Sequence, residues 1–280
     1  MATGHSVLLA FLVTLGMVSS VFGVANIAAF NIQVFGQSKI GKPDVVDELE
    51  KIISRYDLVL IQEIRDSAGT AIVELLDKVN DHSSNTYAMD IGPRVGRTSS
   101  KEQYAYFYRT DMFWVKDSFT YSDPGDLFER EPYVVHFGIK TSAVTGVDDF
   151  SVIGLHSKPD DAVNELDEMM NVYEAAKSKF GNENSILMGD FNADCNYVRS
   201  SDWSSISIRT DSSFEWLISD YADTTVKSTD CAYDRIVLAG SAMKSAGYGG
   251  GVFDYQTAYG LSDDLAEDVS DHYPVYFKLK

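Results

Sequence analysis

Four apolar runs of the chain each end in a side chain that can bind a metal ion or transfer a proton. The polar residues after these runs are Asn31, Glu63, His156 and Asp190, and Asn192 lies two positions beyond the last of them. A strand in a rigid scaffold fixes the side chain at its end before any ligand arrives. Strand ends are often polar, and a single histidine is more often structural than catalytic. Four such ends together therefore indicate a functional site.

Two further acidic residues precede apolar runs in the last fifth of the chain. Asp271 lies directly before His272, and Asp234 follows Tyr233. Two imidazoles that are each oriented by a carboxylate suit general acid–base catalysis near neutral pH. Oxygen atoms of Asn, Asp and Glu suit Mg²⁺ or Ca²⁺, whereas zinc is disfavoured without His and Cys clusters at ligand spacing. The sequence has no Gly-x-Ser-x-Gly elbow, Walker loop or dinucleotide fingerprint, which disfavours serine hydrolases, nucleotide hydrolases and dehydrogenases.

The elements that must position these residues alternate between strand-like and helix-like segments. This alternation predicts mixed α/β sheets covered by helices. The segments predicted as strands are residues 25–30, 58–61, 104–108, 133–139, 150–155, 185–188, 235–238 and 274–279. The segments predicted as helices are residues 44–54, 68–80 and 160–180. The glycine-rich residues 247–251 are predicted to form a flexible loop.

Residues 1–23 differ in composition from the rest of the chain. They contain no Asp, Glu, Lys or Arg, and residues 7–21 are largely apolar. This pattern is typical of a secretory signal peptide, although the usual basic residue near the start is missing. A membrane anchor is the alternative, but the apolar run is shorter than the roughly 20 residues that span a bilayer. We therefore expect a secreted, extracellular protein with no membrane attachment, in which residues 24–280 form a single domain.

The chain has two cysteines, Cys195 and Cys231. Export would place both in an oxidising environment, where a single disulfide is expected. Two buried thiols are the alternative.

The charge of the chain argues against a simple nucleic-acid-binding protein. The formal net charge is −19, whereas proteins that neutralise phosphates normally present a basic face. A strongly acidic exported protein can instead hold divalent cations, with any attraction for nucleic acid confined to a local patch.

Six longer phrases of the sequence combine these residues. They are residues 27–32 (IAAFNI), 55–63 (RYDLVLIQE), 187–195 (LMGDFNADC), 202–206 (DWSSI), 231–237 (CAYDRIV) and 270–274 (SDHYP). In this order the phrases resemble the deoxyribonuclease I family of the endonuclease/exonuclease/phosphatase superfamily. The resemblance extends from residue 26 to residue 279. It implies a four-layer α/β sandwich, two packed mixed β-sheets flanked by helices, that hydrolyses double-stranded DNA to 5′-phosphorylated products.

The resemblance also implies how the site would bind metal ions. Glu63 and Asn31 match the metal-binding end of the family's site, where Mg²⁺ or Mn²⁺ polarises the scissile phosphate. Asp190, Asn192 and Asp271 match groups that hold phosphate oxygens or a second cation.

The acid–base residues follow from the same resemblance. His156 and His272 match the family's paired imidazoles, with Glu102 expected on the first and Asp234 on the second to fix each tautomer. The resemblance implies that His272 is the base for the attacking water and His156 the acid for the leaving 3′ oxygen. The near symmetry of the pair leaves that order open.

The DNA-binding positions of the family correspond here to Arg65, Arg130, Ser100 and Tyr233. Arg65 matches a minor-groove arginine and Arg130 a phosphate-contacting arginine, roles that suit a permanent charge. A surface salt bridge is the alternative for Arg65. The family commonly has a tyrosine at the position of Ser100, which packs against a deoxyribose, so we expect a weaker grip on duplex DNA.

Two calcium loops of the family have counterparts in this chain. The first is shorter than in the family and lacks its cysteine pair; its candidate ligands are Asp123, Asp126 and Glu131. The candidate ligands of the second are Asp223, Thr225 and Thr229. Lys227 replaces a neutral oxygen in the second loop, and an ammonium group cannot bind a cation, so that site is expected to be weak or empty.

Other functions remain open on the sequence alone. A phosphatase or sphingomyelinase of the same superfamily would reuse Glu63, Asp190, Asn192 and His272 on another phosphoester. A non-catalytic secreted binding protein has no reason to keep both imidazole–carboxylate pairs. Some family members bind actin through a tyrosine and a valine on an exposed strand. The matching residues are Met89 and Ile91, so we expect weak or absent actin inhibition, and a monomer.

Overall fold

A computed structural model describes residues 24–140, 144 and 146–280 of the chain. The expected signal peptide, residues 1–23, lies outside these residues. The strands are β1 (Ala25–Phe35), β2 (Leu58–Ile64), β3 (Tyr87–Ile91), β4 (Gln103–Arg109), β5 (Phe113–Thr120), β6 (Tyr133–Ile139), β7 (Asp149–Gly154), β8 (Ser185–Asp190), β9 (Phe214–Trp216), β10 (Asp234–Ala239), β11 (Gly247–Val252) and β12 (Val275–Leu279). The helices are α1 (Gln37–Ile40), α2 (Pro43–Ile53), α3 (Ala71–His82), α4 (Ala162–Phe180), α5 (Ser207–Thr210), α6 (Ser241–Ala246), α7 (Tyr255–Tyr259) and α8 (Asp263–Val269). Within the described ranges, no helix has the length and apolar character needed to cross a membrane.

The strands form two six-stranded sheets. The first has the order β11-β12-β1-β2-β4-β3 and the second the order β5-β6-β7-β8-β10-β9. Strands β1 and β2 are parallel, as are β7 and β8, and the other paired strands are antiparallel. Both sheets are therefore mixed, as predicted.

The two sheets pack face to face over a central apolar core. Ile27 and Leu60 from the first sheet meet Val152 and Ile186 from the second. A second apolar cluster lies between the first sheet and helices α2, α3 and α8, and a third lies between the second sheet and helices α4 and α5. The layers thus run helix, sheet, sheet, helix, which confirms the predicted four-layer α/β sandwich.

Helix α4 shows how the sequence sets one of these layers. Leu166, Met169 and Tyr173 are buried at spacings of three and four residues, so they form one apolar face against the second sheet. The helix ends at Gly181, whose φ of 64° is readily adopted only by glycine. The predicted helix at residues 160–180 is confirmed, with its first residues in a short 3₁₀ turn, Pro159–Asp161.

The prediction of a flexible loop at residues 247–251 was wrong. These residues belong to β11, an edge strand that pairs with β12. A side chain at Gly250 would lie within 2.5 Å of the carbonyl oxygen of Leu217, so this glycine permits a close backbone approach. An edge strand pairs through its backbone with one neighbour only, and glycine residues can form these backbone hydrogen bonds. Such a strand therefore shows no apolar pattern in the sequence.

Asn31 does not lie at the end of a strand, contrary to expectation. Strand β1 continues to Phe35, and its pairing with β2 shifts register between Asn31 and Phe35. The other three polar positions follow the prediction more closely, because Glu63 and Asp190 lie at the ends of β2 and β8, and His156 lies two residues after β7.

Candidate active site

Strands of both sheets bring the predicted catalytic residues to one end of the sandwich. Asn31 and Glu63 come from β1 and β2 of the first sheet, and Asp190 and Asp234 come from β8 and β10 of the second, where they are paired in register. The Asn31 amide nitrogen lies 3.2 Å from Oδ2 of Asp190 and 3.2 Å from Oε1 of Glu63. One amide side chain therefore links the two sheets at the site.

His272 forms the first imidazole–carboxylate pair. Its Nδ1 lies 2.7 Å from Oδ2 of Asp234, a residue with no solvent exposure. Burial disfavours the imidazolium, but the carboxylates of Asp234 and Asp190 outweigh burial and raise the pKa of His272 well above its usual value. The hydrogen bond at Nδ1 fixes the ring, so that Nε2 is the atom available to a substrate.

His156 forms the second pair, with Glu102. Its Nδ1 lies 2.7 Å from Oε1 of Glu102, and its backbone amide donates to the hydroxyl of Tyr104 at 2.8 Å. Burial alone would raise the pKa of Glu102, but His156 and Arg130 outweigh burial and lower it. Burial likewise opposes the charged form of His156, yet Glu102 raises its pKa. The carboxylate is thus ionised and orients an imidazole that readily holds a proton.

The two imidazoles converge on one carboxylate. Nε2 of His156 and Nε2 of His272 each lie 3.5 Å from Oδ2 of Asp190. The backbone amide of Asn192 donates to the other oxygen of Asp190 at 3.0 Å, which fixes the carboxylate. Two proton-transfer groups beside one fixed carboxylate suit a reaction that deprotonates one oxygen and protonates another.

The residues predicted to bind metal ions offer oxygen ligands beside this centre. Oδ1 of Asp271 is buried without a hydrogen-bond partner among the described residues and lies 3.9 Å from Nε2 of His272. Ligand atoms of Asp190, Asp234 and His272 lie within 4.8 Å of one another. Glu63 lies across Asn31 from Asp190 and adds a further carboxylate. This oxygen-rich set, with an unpartnered carboxylate oxygen, fits a hard divalent cation.

Both predicted DNA-binding arginines are held by carboxylates of the site. Arg65 lies 3.1 Å from Oε2 of Glu63 and 3.5 Å from Oε2 of Glu102. Arg130 pairs with Oε1 of Glu102 and contacts the carbonyl oxygen of His156 at 3.4 Å. The family resemblance implies groove and phosphate contacts for these arginines, with a surface salt bridge as the alternative for Arg65. In the structure both guanidinium groups balance catalytic carboxylates.

The remaining predicted DNA-binding positions are Ser100 and Tyr233. Ser100 is exposed, and its amide donates to the Thr98 hydroxyl at 3.2 Å. Ser100 lies two residues before Glu102. The ring of Tyr233 is partly buried, with its centroid 5.4 Å from that of Tyr197 and 6.4 Å from that of His272. Tyr233 is therefore close to one catalytic imidazole.

The second predicted calcium loop is assembled next to the site. Oδ1 of Asp223 accepts from the Thr225 amide at 2.9 Å and from its hydroxyl at 2.7 Å, and the same hydroxyl contacts the carbonyl oxygen of Thr229. Thr225 also forms an isolated β-bridge with His272. The three candidate ligands are thus together, in a loop that touches a catalytic residue.

The first predicted calcium loop is only partly assembled. Oδ1 of Asp123 is buried without a hydrogen-bond partner among the described residues, as a cation ligand would be. Asp126 instead forms an ion pair with Arg97 at 3.1 Å, a contact that the sequence did not indicate. The structure shows no hydrogen bond or ion pair from the Glu131 side chain to another described residue.

The Cys195–Cys231 disulfide is present, as predicted, with Cα atoms 5.9 Å apart. Beside it, the Ala232 amide donates to Oδ2 of Asp194 at 2.8 Å. The bridge and this hydrogen bond tie the segment after β8 to the segment that leads into Asp234.

Several buried residues that support the site were not predicted. Gln62 spans the two sheets, because its amide nitrogen donates to the Leu155 carbonyl oxygen at 2.8 Å and its oxygen accepts from the Asp190 amide at 2.9 Å. The Ser270 hydroxyl donates to the carbonyl oxygen of Asn31 at 2.6 Å and accepts from the His272 amide at 3.1 Å. The sequence signal for Gln62 and Ser270 is that they lie beside Glu63 and Asp271 in two of the phrases that resemble the family.

Comparison with known proteins places this geometry in a family. The model of the endonuclease/exonuclease/phosphatase family matches residues 28–272. Deoxyribonuclease-1 of Oryctolagus cuniculus is 46% identical over 282 residues, which cover 98% of this chain and 99% of the relative. Deoxyribonuclease-1 of Bos taurus and that of Homo sapiens are each 47% identical, over 91% of this chain and 92% of the relative.

Solved structures show the same fold at lower identity. An endonuclease/exonuclease/phosphatase from Bacteroides vulgatus has a TM-score of 0.63 and 16% identity, covering 92% of this chain and 98% of its own. A humanized D. rerio TDP2 has a TM-score of 0.62 and 14% identity, covering 92% and 99%. The family match and the close relatives, which extend over nearly their whole length, show that the chain belongs to the endonuclease/exonuclease/phosphatase family, in its deoxyribonuclease I group.

Proposed function

We propose that this chain is a divalent-metal-dependent endonuclease that hydrolyses phosphodiester bonds of DNA and leaves 5′ phosphates. The observation that carries the proposal is the convergence of His156 and His272, each bound to its own carboxylate, on Asp190. Phosphodiester hydrolysis needs a water molecule to lose a proton and a leaving oxygen to gain one, and two imidazoles beside one carboxylate can supply both transfers. The relatives named deoxyribonuclease-1 favour DNA as the substrate.

We infer that Glu63 and Asn31 hold Mg²⁺ or Mn²⁺, with Asp190, Asn192 and Asp271 holding phosphate oxygens or a second cation. A bound divalent cation would neutralise charge on the scissile phosphate. The unpartnered Oδ1 of Asp271 supports this assignment, since a buried carboxylate oxygen without a donor needs a cation or water.

For the proton transfers we propose that His272 takes the proton of the attacking water and His156 protonates the leaving 3′ oxygen. Neighbouring carboxylates raise the pKa of both imidazoles, so these shifts do not distinguish the base from the acid. The two pairs are nearly equivalent in geometry, so the order needs a direct test. DNA with a bridging 3′ sulfur has a leaving group that requires no protonation. It should restore cleavage by His156→Ala but not by His272→Ala, and the opposite result would reverse the assignment.

The substrate is tested by cleavage of supercoiled plasmid DNA with Mg²⁺ and Ca²⁺, with and without a chelator. We expect nicking that the chelator abolishes, and no comparable turnover of sphingomyelin or inositol phosphates. A sphingomyelinase or phosphatase would show the reverse preference. A non-catalytic binding protein would hydrolyse none of these substrates. Metal dependence and substrate class are thereby separated in one set of assays.

We also propose that Ca²⁺ binds the loop of Asp223, Thr225 and Thr229, but weakly, because Lys227 replaces a neutral oxygen in this loop. The Val226 amide donates to the Asp271 carbonyl oxygen at 3.0 Å, so a cation in this loop would steady the segment that carries His272. Calcium should raise the melting temperature of the wild type but not of Asp223→Ala, if the loop binds the ion.

The calcium loop of Asp123, Asp126 and Glu131 is also proposed to bind Ca²⁺ weakly. Its Asp126 carboxylate is engaged by Arg97, which competes with a cation for the same oxygen. Arg97→Ala should therefore strengthen calcium binding at this loop, measured by calorimetry in the Asp223→Ala background.

The setting of the enzyme is proposed from the sequence together with the disulfide. We infer that residues 1–23 direct export and that residues 24–280 act outside the cell as a monomeric, single-domain catalyst. The Cys195–Cys231 bridge supports an oxidising location. Met89 and Ile91 lie on the edge strand β3 and are partly buried against the core, which supports weak or absent actin inhibition.

A further inference from the structure

The irregularity in β1 after Asn31 places two consecutive residues beside the site in a strained backbone conformation. Gln33 and Val34 are consecutive residues with φ of 45° and 50°. Residues other than glycine adopt this left-handed region at a steric cost, and the cost is highest for a β-branched residue such as Val34. Glycine would adopt the same backbone without this steric cost.

The backbone of this segment has an evident role in the site. The Gln33 amide donates to Oδ1 of Asn31 at 3.0 Å, and the Val34 amide donates to Oε2 of Glu63 at 2.8 Å. Both amides therefore orient residues at the proposed metal-binding end. Glycine would supply the same two donors, so these hydrogen bonds explain the backbone conformation but not the valine side chain.

The Val34 side chain buries little apolar surface against the rest of the protein. It is 53% exposed, whereas its neighbours Ile32 and Phe35 are fully buried. Apolar burial therefore does not offset the steric cost of a β-branched residue at this position. A side chain that is strained, apolar and exposed at the rim of a catalytic site is a candidate contact for a ligand.

The position of Val34 defines which part of a substrate it would meet. Glu63, which its amide contacts, is also contacted by Arg65, and Asn31 links Glu63 to Asp190. A polynucleotide whose phosphate lies at Asp190 must continue past this rim with its neighbouring nucleotides. An isopropyl group suits the C–H surface of a deoxyribose or the edge of a base and does not suit a phosphate.

We propose that Val34 packs against the sugar or base edge of a nucleotide next to the scissile phosphate, and that it contributes to substrate affinity and cutting preference. This inference rests on the proposed function. It assigns a specificity-determining contact to a residue outside the acid–base and metal-binding groups.

The test compares Val34→Gly and Val34→Ala with wild type in steady-state cleavage of a defined duplex. Loss of the apolar contact should raise KM for the duplex by about threefold to tenfold, with kcat changed much less. The melting temperature of Val34→Gly should be unchanged or higher, because glycine relieves the strained backbone. Val73→Ala is the matched control, since Val73 is 47% exposed on α3, and it should keep the wild-type KM.

Two results would overturn the inference. One is a wild-type KM and cutting pattern in both Val34 variants. The other is a fall in kcat/KM on bis(p-nitrophenyl) phosphate that equals the fall on the duplex. This diester has no neighbouring nucleotides, so an equal fall would mean that the side chain only positions Glu63. Val34→Ala keeps a Cβ atom and covers the case in which Val34→Gly fails to fold. If wild type itself does not cleave the duplex, the proposed function fails instead, and the same assay shows this directly.

Discussion

Replacing Gln62 with leucine should damage both stability and catalysis, although Gln62 cannot itself touch a substrate. The side chain has no solvent exposure and joins the two sheets directly beneath the site. It donates to the carbonyl oxygen of Leu155, the residue before His156, and accepts from the backbone amide of Asp190. The same side chain therefore sets the spacing between His156 and Asp190.

The size of the effect follows from the two groups left without partners. A buried donor or acceptor that loses its partner costs about 1–3 kcal/mol, so the loss of two partners in Gln62→Leu should lower the free energy of unfolding by about 2–6 kcal/mol. A domain in the middle of the ordinary range of about 5–15 kcal/mol remains folded after that loss. A shift of about 1 Å between reacting groups can cost about 100-fold in rate, so kcat should fall by about 10- to 100-fold while KM changes little.

The measurement combines urea unfolding with steady-state plasmid cleavage. Asn80→Leu is the matched control, because the Asn80 side chain also makes two hydrogen bonds to backbone groups, both of Tyr87, but lies on α3 away from the site. It should lose stability and keep its kcat. The reasoning is refuted if Gln62→Leu unfolds at the wild-type urea concentration, or if its kcat loss is no larger than that of Asn80→Leu.

Three further predictions concern proton transfer, the disulfide and acid stability. His156→Ala or His272→Ala should lower turnover on DNA by at least about 100-fold with an unchanged circular dichroism spectrum, and near-normal cleavage by folded His272→Ala would contradict the mechanism. Reducing the Cys195–Cys231 bridge, which closes a sequence separation of 36 residues, should cost about 4 kcal/mol in the chain-entropy model and speed thermal inactivation. Two free thiols in the mass spectrum of the native protein would contradict the prediction, because the native protein would then have no bridge to reduce. Hydrogen bonds from the Ala71 amide and other donors lower the pKa of Asp66 to about 2, so its stabilising effect should be complete above about pH 4 and lost as the pH falls towards 2. Asp66→Asn should therefore be less stable than wild type at pH 7, with the difference shrinking below pH 4, and a constant difference would exclude this linkage.

The parts of the fold that could be predicted are those with a strong apolar pattern. The central strands β1, β2, β7 and β8 are buried on both faces, so they appear in the sequence as continuous apolar runs. The four strands that were not predicted, β3, β5, β9 and β11, are the edge strands of the two sheets. Edge strands contact one neighbour and carry polar or glycine residues, so their pairing depends on the sheet beside them and leaves little local signal.

The residues of the site also fall into those that the sequence predicts and those that it does not. The imidazole–carboxylate pairs were predicted from resemblance, and the structure brings His156 to Glu102 and His272 to Asp234. The contacts of Gln62 could not be predicted from the sequence, because this residue meets residues more than 90 positions away. The engagement of an arginine by a catalytic carboxylate depends in the same way on the packed arrangement of the two sheets.

The charge of the site gives an electrostatic reason for a requirement for cations. Arg65 and Arg130 form ion pairs with Glu102, the partner of His156. The Glu102 carboxylate therefore neutralises much of their positive charge. Asp190 lies between His156 and His272, and Asp271 lies near His272, and neither carboxylate forms an ion pair with an arginine or lysine among the described residues. A phosphodiester anion that approaches these carboxylates in a protein of net charge −19 would be repelled, and the repulsion is strong where water is excluded. A divalent cation held by carboxylate oxygens reverses the sign of the local field, so the same acidic residues that repel the substrate in its absence attract the phosphate in its presence.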